Sequence, residues 1–399
     1  MSTTFDPTQF NPHDPAFIAD PYPTFALFRE RAPASIVKPY GSLWVFRYAD
    51  AKAICEGKTL FLKHPAQRKP APPPFGVLGN MPNGIFSMDP PRHDQLRPML
   101  DGLFATAIEG TDALAARIAD GLLAQMRHGD QVELYAAYAM PLPQQVLMTV
   151  LGIPQSDWPG VGQWVGGVLA GHDITAPFGL QALAGTCALA IGGYLQALMR
   201  GCPAHAEPAR DMLGLMMSQA EPKGMEAVEV QQTALNFAVA GYLSTVFLIA
   251  TGTLNLLRNP AQLALLRAQP SLADNAVEEM LRYDAPFQII DRYAAEDTQI
   301  AGVTVRAGDA VTAVLGSANR DPARFANPDA FDITRDDAGH LGFGDGIHTC
   351  IGAPLVRRVA PVAFRMLLDA VPSLKLAGTP QWQTDPYIRS VVNLPVSIV

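Results

Sequence analysis

Residues 234–257 constrain the fold of this chain more than any other segment, because they include no charged side chain and are long enough to span a bilayer. Polar residues such as Asn236, Ser244 and Asn255 interrupt the segment, basic residues do not collect at one end of it, and we identify no second segment of this kind. A helix buried through the middle of a large water-soluble domain is also apolar on all sides. We therefore predict a long central helix and no membrane span.

The rest of the chain has mostly helical periodicity. Apolar residues recur at spacings of three and four in residues 23–32, 111–128, 180–200 and 261–283. Strand-like runs are short and lie at residues 34–47, 299–314 and 388–399. Proline crowds residues 63–91, which excludes regular structure there, and no linker or repeat divides the chain. The sequence predicts a mainly α protein, a single large helical domain over residues 1–399 with a minor β-sheet region.

Composition and charge indicate the cellular compartment of the protein and the classes of partner that it can bind. The formal net charge of −8 disfavours nucleic-acid binding, which needs a surplus of cations. The polar N-terminus has no signal-peptide pattern, and the four cysteines are scattered as in proteins of a reducing compartment. We expect a cytoplasmic monomer in which Cys55, Cys187 and Cys202 are small buried hydrophobes. Only Cys350 has neighbours that indicate chemistry.

A glycine-rich loop, residues 340–352, delivers Cys350 to the start of an amphipathic helix. Its glycines permit positive φ and a close approach of backbone to a large flat group. The positive end of a helix dipole stabilises a thiolate, which is a good metal ligand. Pro354 in the first turn fits the same helix start. A surface loop with a structural cysteine remains the alternative interpretation of these residues alone.

This loop resembles the haem-binding loop of the cytochrome P450 family at its diagnostic positions. The matching residues are Phe343, Gly344, His348, Cys350 and Gly352. The resemblance implies the cytochrome P450 fold, a resident haem b (iron protoporphyrin IX) with Cys350 as its axial ligand, and backbone N–H groups of the loop directed at the sulfur. It extends over nearly the whole chain. Val359 and Pro361 depart from the pattern that relatives show after the cysteine.

Glu279 and Arg282 form a second motif, Glu-x-x-Arg, at the distance upstream that the family shows. Residues three apart share a helix face, so these two side chains can pair. Taken alone, such a pair is most often a solvated surface salt bridge. The resemblance instead implies a buried structural triad of Glu279, Arg282 and Arg335, with no part in catalysis.

Haem carries two propionates, whose burial requires cationic or N–H partners. His93 and Arg97 lie four residues apart on a helix that prolines open. The resemblance assigns the propionates to these two residues together with Arg292 and His340, and adds His348 as a helper. Residues on solvated helices are the alternative for each of them taken singly.

The predicted central helix departs from the family at the residues that deliver protons to dioxygen. The family pattern there ends in an acid followed by two threonines, and this chain has Gly241, Leu243, Ser244 and Thr245 at the corresponding positions. The distance to Glu279 fixes this register. Leu243 replaces the acid and Ser244 the alcohol, so half of the usual relay is missing. A peroxide-driven oxygenase or a haem protein that binds ligands without turnover are therefore alternatives to a monooxygenase.

The resemblance also implies the electron donors and the substrate site. Because no dinucleotide-binding glycine motif is present, a ferredoxin and its NAD(P)H-dependent reductase are expected to supply electrons, and Arg357 and Arg358 are candidates to dock the ferredoxin. The substrate is expected to be a small to medium apolar or aromatic molecule. Residues 316–346 resemble most the bacterial family members that oxidise substituted aromatic acids. Candidate pocket residues, besides Gly241 and Ser244, are Phe75, Val77, Leu78, Ile85, Phe86, Ala240, Phe287, Ile289, Val391 and Val392.

Overall fold

A computed structural model describes residues 5–57, 61–64, 66, 81–126, 131–171, 173, 175–201, 210–220, 223–337 and 339–398. Helices dominate these residues and the strands are short, so the predicted fold class is confirmed. The α-helices are α1 (Pro15–Ala19), α2 (Tyr22–Arg31), α3 (Tyr48–Glu56), α4 (Arg92–Ala107), α5 (Thr111–Leu123), α6 (Pro141–Leu151), α7 (Trp158–Ala170), α8 (Phe178–Gly201), α9 (Met212–Leu215), α10 (Ala227–Arg258), α11 (Pro260–Ala268), α12 (Ala273–Tyr283), α13 (Leu315–Ala318) and α14 (Ala353–Ala370). The strands are β1 (Ala34–Val37), β2 (Ser42–Val45), β3 (Phe61–Leu62), β4 (Gln131–Glu133), β5 (Ile289–Ala294), β6 (Thr298–Ile300), β7 (Val303–Val305), β8 (Ala310–Val314), β9 (Leu374–Leu376), β10 (Gln381–Trp382), β11 (Val391–Asn393) and β12 (Pro395–Ile398).

Helix α10 is the predicted central helix. A capping box starts it, in which the Glu226 N–H donates to Glu229 Oε2 at 2.8 Å, and Pro260 follows its end at Arg258. Along its length it packs against α6, α7, α8, α12 and α14. Most of its side chains are buried inside the protein, which accounts for the uncharged run in the sequence.

Two described helices, α8 and α10, are long and apolar enough to cross a membrane by length and composition. The expectation that residues 234–257 are the only such segment is therefore wrong. Helix α8 is rich in alanine and glycine and has a single charged residue, Arg200, in its last turn. Its sequence is therefore less apolar than that of α10, and it does not stand out in the sequence as long and apolar enough to span a membrane. Helix α8 is also less covered by the protein than α10, and Phe178 and Leu189 are exposed on its outer face.

A five-stranded sheet with the order β1-β2-β8-β5-β3 joins the N-terminal region to residues 289–314. Strands β2 and β8 are parallel, whereas β5 pairs with β8 in antiparallel register, with Arg292 opposite Val311. Strands β6 and β7 form a hairpin that is joined through Ala301 and Gly302, which both have positive φ. This sheet places the Arg292 side chain in the interior.

The structure divides one predicted helix and explains one unusual residue. The helix predicted over residues 261–283 is divided into α11 and α12, because Pro270 begins a separate 3₁₀ turn between them. Val359 is 1 % exposed and packs in the core, which accounts for an apolar side chain at this position. Nothing in the structure explains Pro361, which lies inside α14.

Candidate functional site

The cysteine loop, residues 340–352, is a tight turn held by its own backbone and by α3. The Cys350 N–H donates to the Phe343 carbonyl at 2.9 Å. Gly344 and Gly346 have φ of +70° and +71°, a conformation that favours glycine. A Cβ on Gly346 would lie 2.6 Å from the Cys55 carbonyl oxygen of α3, and Lys52 Nζ contacts Asp345 Oδ2 at 2.6 Å. Glycine at these positions therefore permits the turn of the loop and, at Gly346, the close approach of the loop backbone to α3.

The sulfur of Cys350 lies at the start of α14. Burial raises the pKa of its thiol above the ordinary value, while the N–H groups of Gly352 and Ala353 and the charges of Arg97 and Arg357 act in the opposite direction. Among the described cysteines, Cys55 and Cys187 are buried and only Cys350 is exposed, although enough protein surrounds its sulfur to raise the pKa of the thiol. Backbone N–H groups are thus directed at the sulfur, as a thiolate requires. The protein surroundings alone do not deprotonate the thiol, because they raise its pKa overall.

One face in the middle of α10 is also accessible, although the helix is otherwise buried. Ala240, Gly241, Leu243 and Ser244 are half-buried, whereas their helix neighbours on both sides are buried. Their spacing of three and four residues places them on one side of the helix. We call the space next to this face the cleft. Leu243 and Ser244 lie on the accessible side of α10, and Thr245 is buried.

Basic side chains gather near Cys350. His93 and Arg292 are 1 % and 3 % exposed, and the rings of His93 and His348 lie 4.5 Å apart. Arg97 Nη1 donates to the Ile347 carbonyl at 3.0 Å, and its Nε donates to Asp101 at 2.8 Å. The structure therefore brings together four of the five residues that the sequence assigned to the propionates.

A fifth cation, Lys63, joins this group without having been predicted. Its Nζ lies 3.1 Å from the centre of the Phe86 ring. Burial and then Arg292 hold the pKa of Lys63 well below its ordinary value, against the opposing charges of Asp291, Asp89 and Cys350. No motif marks Lys63 in the sequence. The pairing of β3 with β5, which brings residue 62 opposite residue 293, carries it into the cluster.

This cluster fits a buried group with two carboxylates. Burial and then Arg292 and Lys63 hold the pKa of His348 well below its ordinary value, so the cationic groups destabilise one another. His93 Nε2 is buried and makes no hydrogen bond within the described part of the chain. An anionic partner would relieve the repulsion and satisfy this nitrogen. With the thiol of Cys350 beside them, the residues present fit haem.

His340 does not belong to this cluster, so its assignment to the propionates is wrong. Its Nε2 lies 3.0 Å from Glu278 Oε2, and its Nδ1 accepts the Gly342 N–H at 3.0 Å. Both ring nitrogens are thus engaged within the protein, and the side chain is only 3 % exposed. The sequence places His340 near the loop but does not specify the direction of its ring.

The predicted structural triad is assembled in the core. Arg282 Nε donates to Glu279 Oε2 at 2.7 Å and its Nη2 donates to Oε1 at 2.8 Å, with both side chains 1 % exposed. Arg335 Nε lies 3.2 Å from Glu279 Oε2. The remaining donors of Arg282 reach the carbonyls of Asn319, Pro328 and Ala330, and Glu279 Oε1 accepts the Asp332 N–H. The triad joins α12 to the segment before the cysteine loop.

The candidate pocket residues fall into three groups. Ile85 and Phe86 dock on α10, where their N–H groups donate to Thr233 Oγ1 at 3.2 Å and Asn236 Oδ1 at 3.3 Å. Phe287 and Val392 are half-buried, as residues bordering a cleft are, whereas Ile289 and Val391 are only 1 % and 0 % exposed and belong to the core. The prediction for these two is wrong because strand alternation turns them inward. Phe75, Val77 and Leu78 lie outside the described residues.

Comparison with known proteins identifies a consistent set of relatives. A family model described as Cytochrome P450 matches residues 193–371. Cytochrome P450 monooxygenase PikC of Streptomyces venezuelae is 36% identical over 95% of this chain and 91% of its own length. 6-deoxyerythronolide B hydroxylase of Saccharopolyspora erythraea is 34% identical over 96% of this chain and 97% of its own. Among solved structures, P450BioI in complex with an acyl carrier protein ligated to hexadec-9Z-enoic acid superposes with a TM-score of 0.87 and 31% identity, covering 96% of this chain and 100% of the other.

Proposed function

The chain belongs to the cytochrome P450 family of monooxygenases, and from this premise we propose that Cys350 holds haem b and that the protein inserts one oxygen atom of dioxygen into a small to medium apolar or aromatic substrate. One observation carries the proposal: the exposed Cys350 lies beside a cluster of basic side chains that fits the two haem propionates. Thiolate-bound haem supplies the redox chemistry that splits dioxygen, and electron donation from the sulfur favours that cleavage.

The chain's own residues hold and orient the cofactor. The N–H groups of Gly352 and Ala353 face the sulfur and moderate its charge. His93, Arg97, Arg292 and His348 neutralise and fix the two propionates. The face of α10 and the side chains of Phe86 and Phe287 exclude water and position the substrate.

Proton delivery rests on Ser244, because Leu243 has no proton to give. The Ser244 hydroxyl lies on the accessible face of α10 and can orient a water molecule in the cleft. A positioned proton donor typically contributes about 10²–10⁴-fold to a rate. We therefore propose that the substrate itself supplies a hydroxyl or carboxyl group, or that electrons are consumed without matching product.

Leu243→Asp is expected to raise the ratio of product formed to NAD(P)H consumed, because it restores a proton donor beside Ser244. Ser244→Ala is expected to lower that ratio and to increase release of hydrogen peroxide, since it removes the remaining hydroxyl. Both quantities are measured together in a reconstituted turnover assay. A substrate without hydroxyl or ionisable groups that is tightly coupled in the wild type and in both variants would show that protons arrive by another route.

We propose that a ferredoxin and an NAD(P)H-dependent ferredoxin reductase supply the electrons, and that the protein is a cytoplasmic monomer. The family membership supports a separate electron donor. Arg357 and Arg358 are 50% and 45% exposed on α14, but each already faces a carboxylate, Glu278 at 2.7 Å and Asp112 at 3.9 Å. A docking ferredoxin therefore competes with these intramolecular partners.

Because Leu243 stands in place of the acid, we keep an alternative to the monooxygenase as the second candidate. This alternative is either a peroxide-driven oxygenase or a haem protein that binds its ligand without turnover. A library screened for a shift of the ferric spin state identifies ligands of the cleft. Each ligand is then incubated with ferredoxin, reductase and NAD(P)H, or with hydrogen peroxide alone. Product in the first mixture supports the monooxygenase. Product only with peroxide, or a spin shift with product in neither mixture, supports the second candidate.

A further inference from the structure

A chain of hydrogen bonds leads from the surface of α14 to the start of the cysteine loop. Arg357 Nε and Nη2 donate to the two carboxylate oxygens of Glu278 at 2.7 and 2.9 Å. His340 Nδ1 accepts the Gly342 N–H, so the ring proton lies on Nε2, which donates to Glu278 Oε2 at 3.0 Å. Exposure falls along this path, from 50% for the Arg357 side chain to 24% for Glu278 and 3% for His340.

Glu278 remains charged at neutral pH. Burial raises the pKa of this carboxyl, but the hydrogen bonds from Arg357 and His340 outweigh burial and lower the pKa to about 2. One carboxylate thus serves two donors. A change in the hydrogen bonds between Arg357 and Glu278 therefore alters the hydrogen bond between Glu278 and His340.

The outer end of this chain is open to a partner. Arg357 and Glu278 border a surface cavity of about 400 Å³ between α12 and α14, together with Asp274, Asn275 and Pro361. A carboxylate from another protein can reach the exposed edge of the Arg357 guanidinium and compete with Glu278 for it. The same guanidinium lies 4.7 Å from the Phe343 ring, and the Phe343 carbonyl accepts the Cys350 N–H.

The inner end is rigid. A Cβ on Gly342 would lie 2.7 Å from the Leu281 carbonyl oxygen of α12, so the loop begins in close contact with that helix. His340 fixes the direction of the Gly342 N–H at this point. A rotation of this peptide moves the backbone of residues 342–344 and, through the Phe343 carbonyl, the hydrogen bond of Cys350.

We propose that His340 and Glu278 are positioning residues that connect Arg357 to the cysteine loop, so that an acidic electron donor which binds Arg357 shifts the loop backbone that carries the Cys350 sulfur. This inference rests on the proposed function in that Cys350 binds haem and the donor is an acidic ferredoxin. It assigns a new role to His340, which acts on the sulfur side of the cofactor.

Two His340 variants test the inner end in a redox titration of the holoprotein, without any electron-donor protein. His340→Asn keeps an oxygen that accepts the Gly342 N–H but no longer reaches Glu278, whereas His340→Phe removes both hydrogen bonds. We expect the displaced loop to weaken the interaction of the Gly352 and Ala353 N–H groups with the sulfur, which makes the thiolate a stronger electron donor. We expect His340→Phe to lower the ferrous-to-ferric ratio at a fixed potential about tenfold, which is about 59 mV for one electron, and His340→Asn to change it less than threefold.

A double-mutant cycle tests the connection itself, read out as the iron–sulfur stretching frequency in resonance Raman spectra. Arg357→Gln should shift this frequency in the wild type and by a clearly different amount in His340→Asn, because the path is cut. The direct field of the lost charge is common to both backgrounds and cancels. Arg365→Gln is the matched control, since Arg365 is another α14 arginine that faces α12, 3.6 Å from Asp274, and should cause no shift.

A [2Fe–2S] ferredoxin then tests the partner. Its binding should shift the stretching frequency of the wild type but not of His340→Asn, while both bind it with the same Kd. Equal shifts in the two proteins, or additivity in the cycle, would overturn the inference. A ferredoxin that does not bind the wild type would contradict the proposed electron donor instead, and the His340 and Arg357 measurements would still decide whether the connection exists.

Discussion

Replacing Cys350 by alanine is expected to abolish the strongly red-shifted Soret band that the reduced holoprotein shows under carbon monoxide. This band reports a thiolate bound to the haem iron. Cys350 is the only described cysteine with an accessible side chain, and backbone N–H groups converge on its sulfur. The absorption spectrum of the dithionite-reduced variant measures the effect directly.

The other cysteines are the controls for this experiment. Cys55 and Cys187 are buried, and burial raises the pKa of the Cys55 thiol to about 11, so it stays protonated. Alanine variants of these two residues and of Cys202, which lies outside the described residues, should each keep the band. Persistence of the band in the Cys350 variant, or its loss in any control variant that still binds haem, would contradict the assignment.

Replacing Glu279 by alanine is expected to cost about 3–5 kcal/mol of folding free energy and to leave little holoprotein. The substitution strands the buried guanidinium of Arg282, which is 1 % exposed, and removes the carboxylate that Arg335 faces. The bonds from Arg282 to backbone carbonyls remain but do not neutralise its charge. Haem content per purified chain and the urea midpoint measure the loss.

A surface acid on the same helix provides the control. Asp274 lies on α12 with its side chain 71% exposed and 3.6 Å from Arg365. Asp274→Ala should change the folding free energy by less than about 0.5 kcal/mol. Normal holoprotein yield from Glu279→Ala would show that the pair does not stabilise the core, and an equal loss from Asp274→Ala would show that any charge change on α12 is disruptive.

The features that the sequence predicts well are those that depend on local pattern. The long uncharged run of residues 234–257 predicts a buried central helix, and most side chains of α10 are buried. Glu279 and Arg282 occupy one helix face by spacing alone, and the glycines of the cysteine loop have the conformations that their lack of a side chain permits. These features need no knowledge of tertiary contacts.

The features that the sequence does not predict depend on distant contacts. Lys63 reaches the cationic cluster because β3 pairs with β5, and no residue near Lys63 signals that pairing. The ring of His340 turns toward Glu278, 62 residues earlier in the chain, although its position beside the loop is equally compatible with a propionate. Ile289 and Val391 are apolar like pocket residues, but burial against neighbouring elements decides that they belong to the core.

The contact between the cysteine loop and α3 sets an order of events during protein synthesis. Lys52 and Asp345, which join the two elements, are 293 residues apart in the chain. At about 5–20 residues per second, a ribosome needs roughly 15 to 60 s to make the intervening segment. His93 and Arg97 are made early in that interval, whereas Cys350 is made just after it ends. With Cys350 as the proposed ligand, haem capture waits until residue 350 has left the ribosome, and we expect a truncated product that lacks this residue to accumulate without haem.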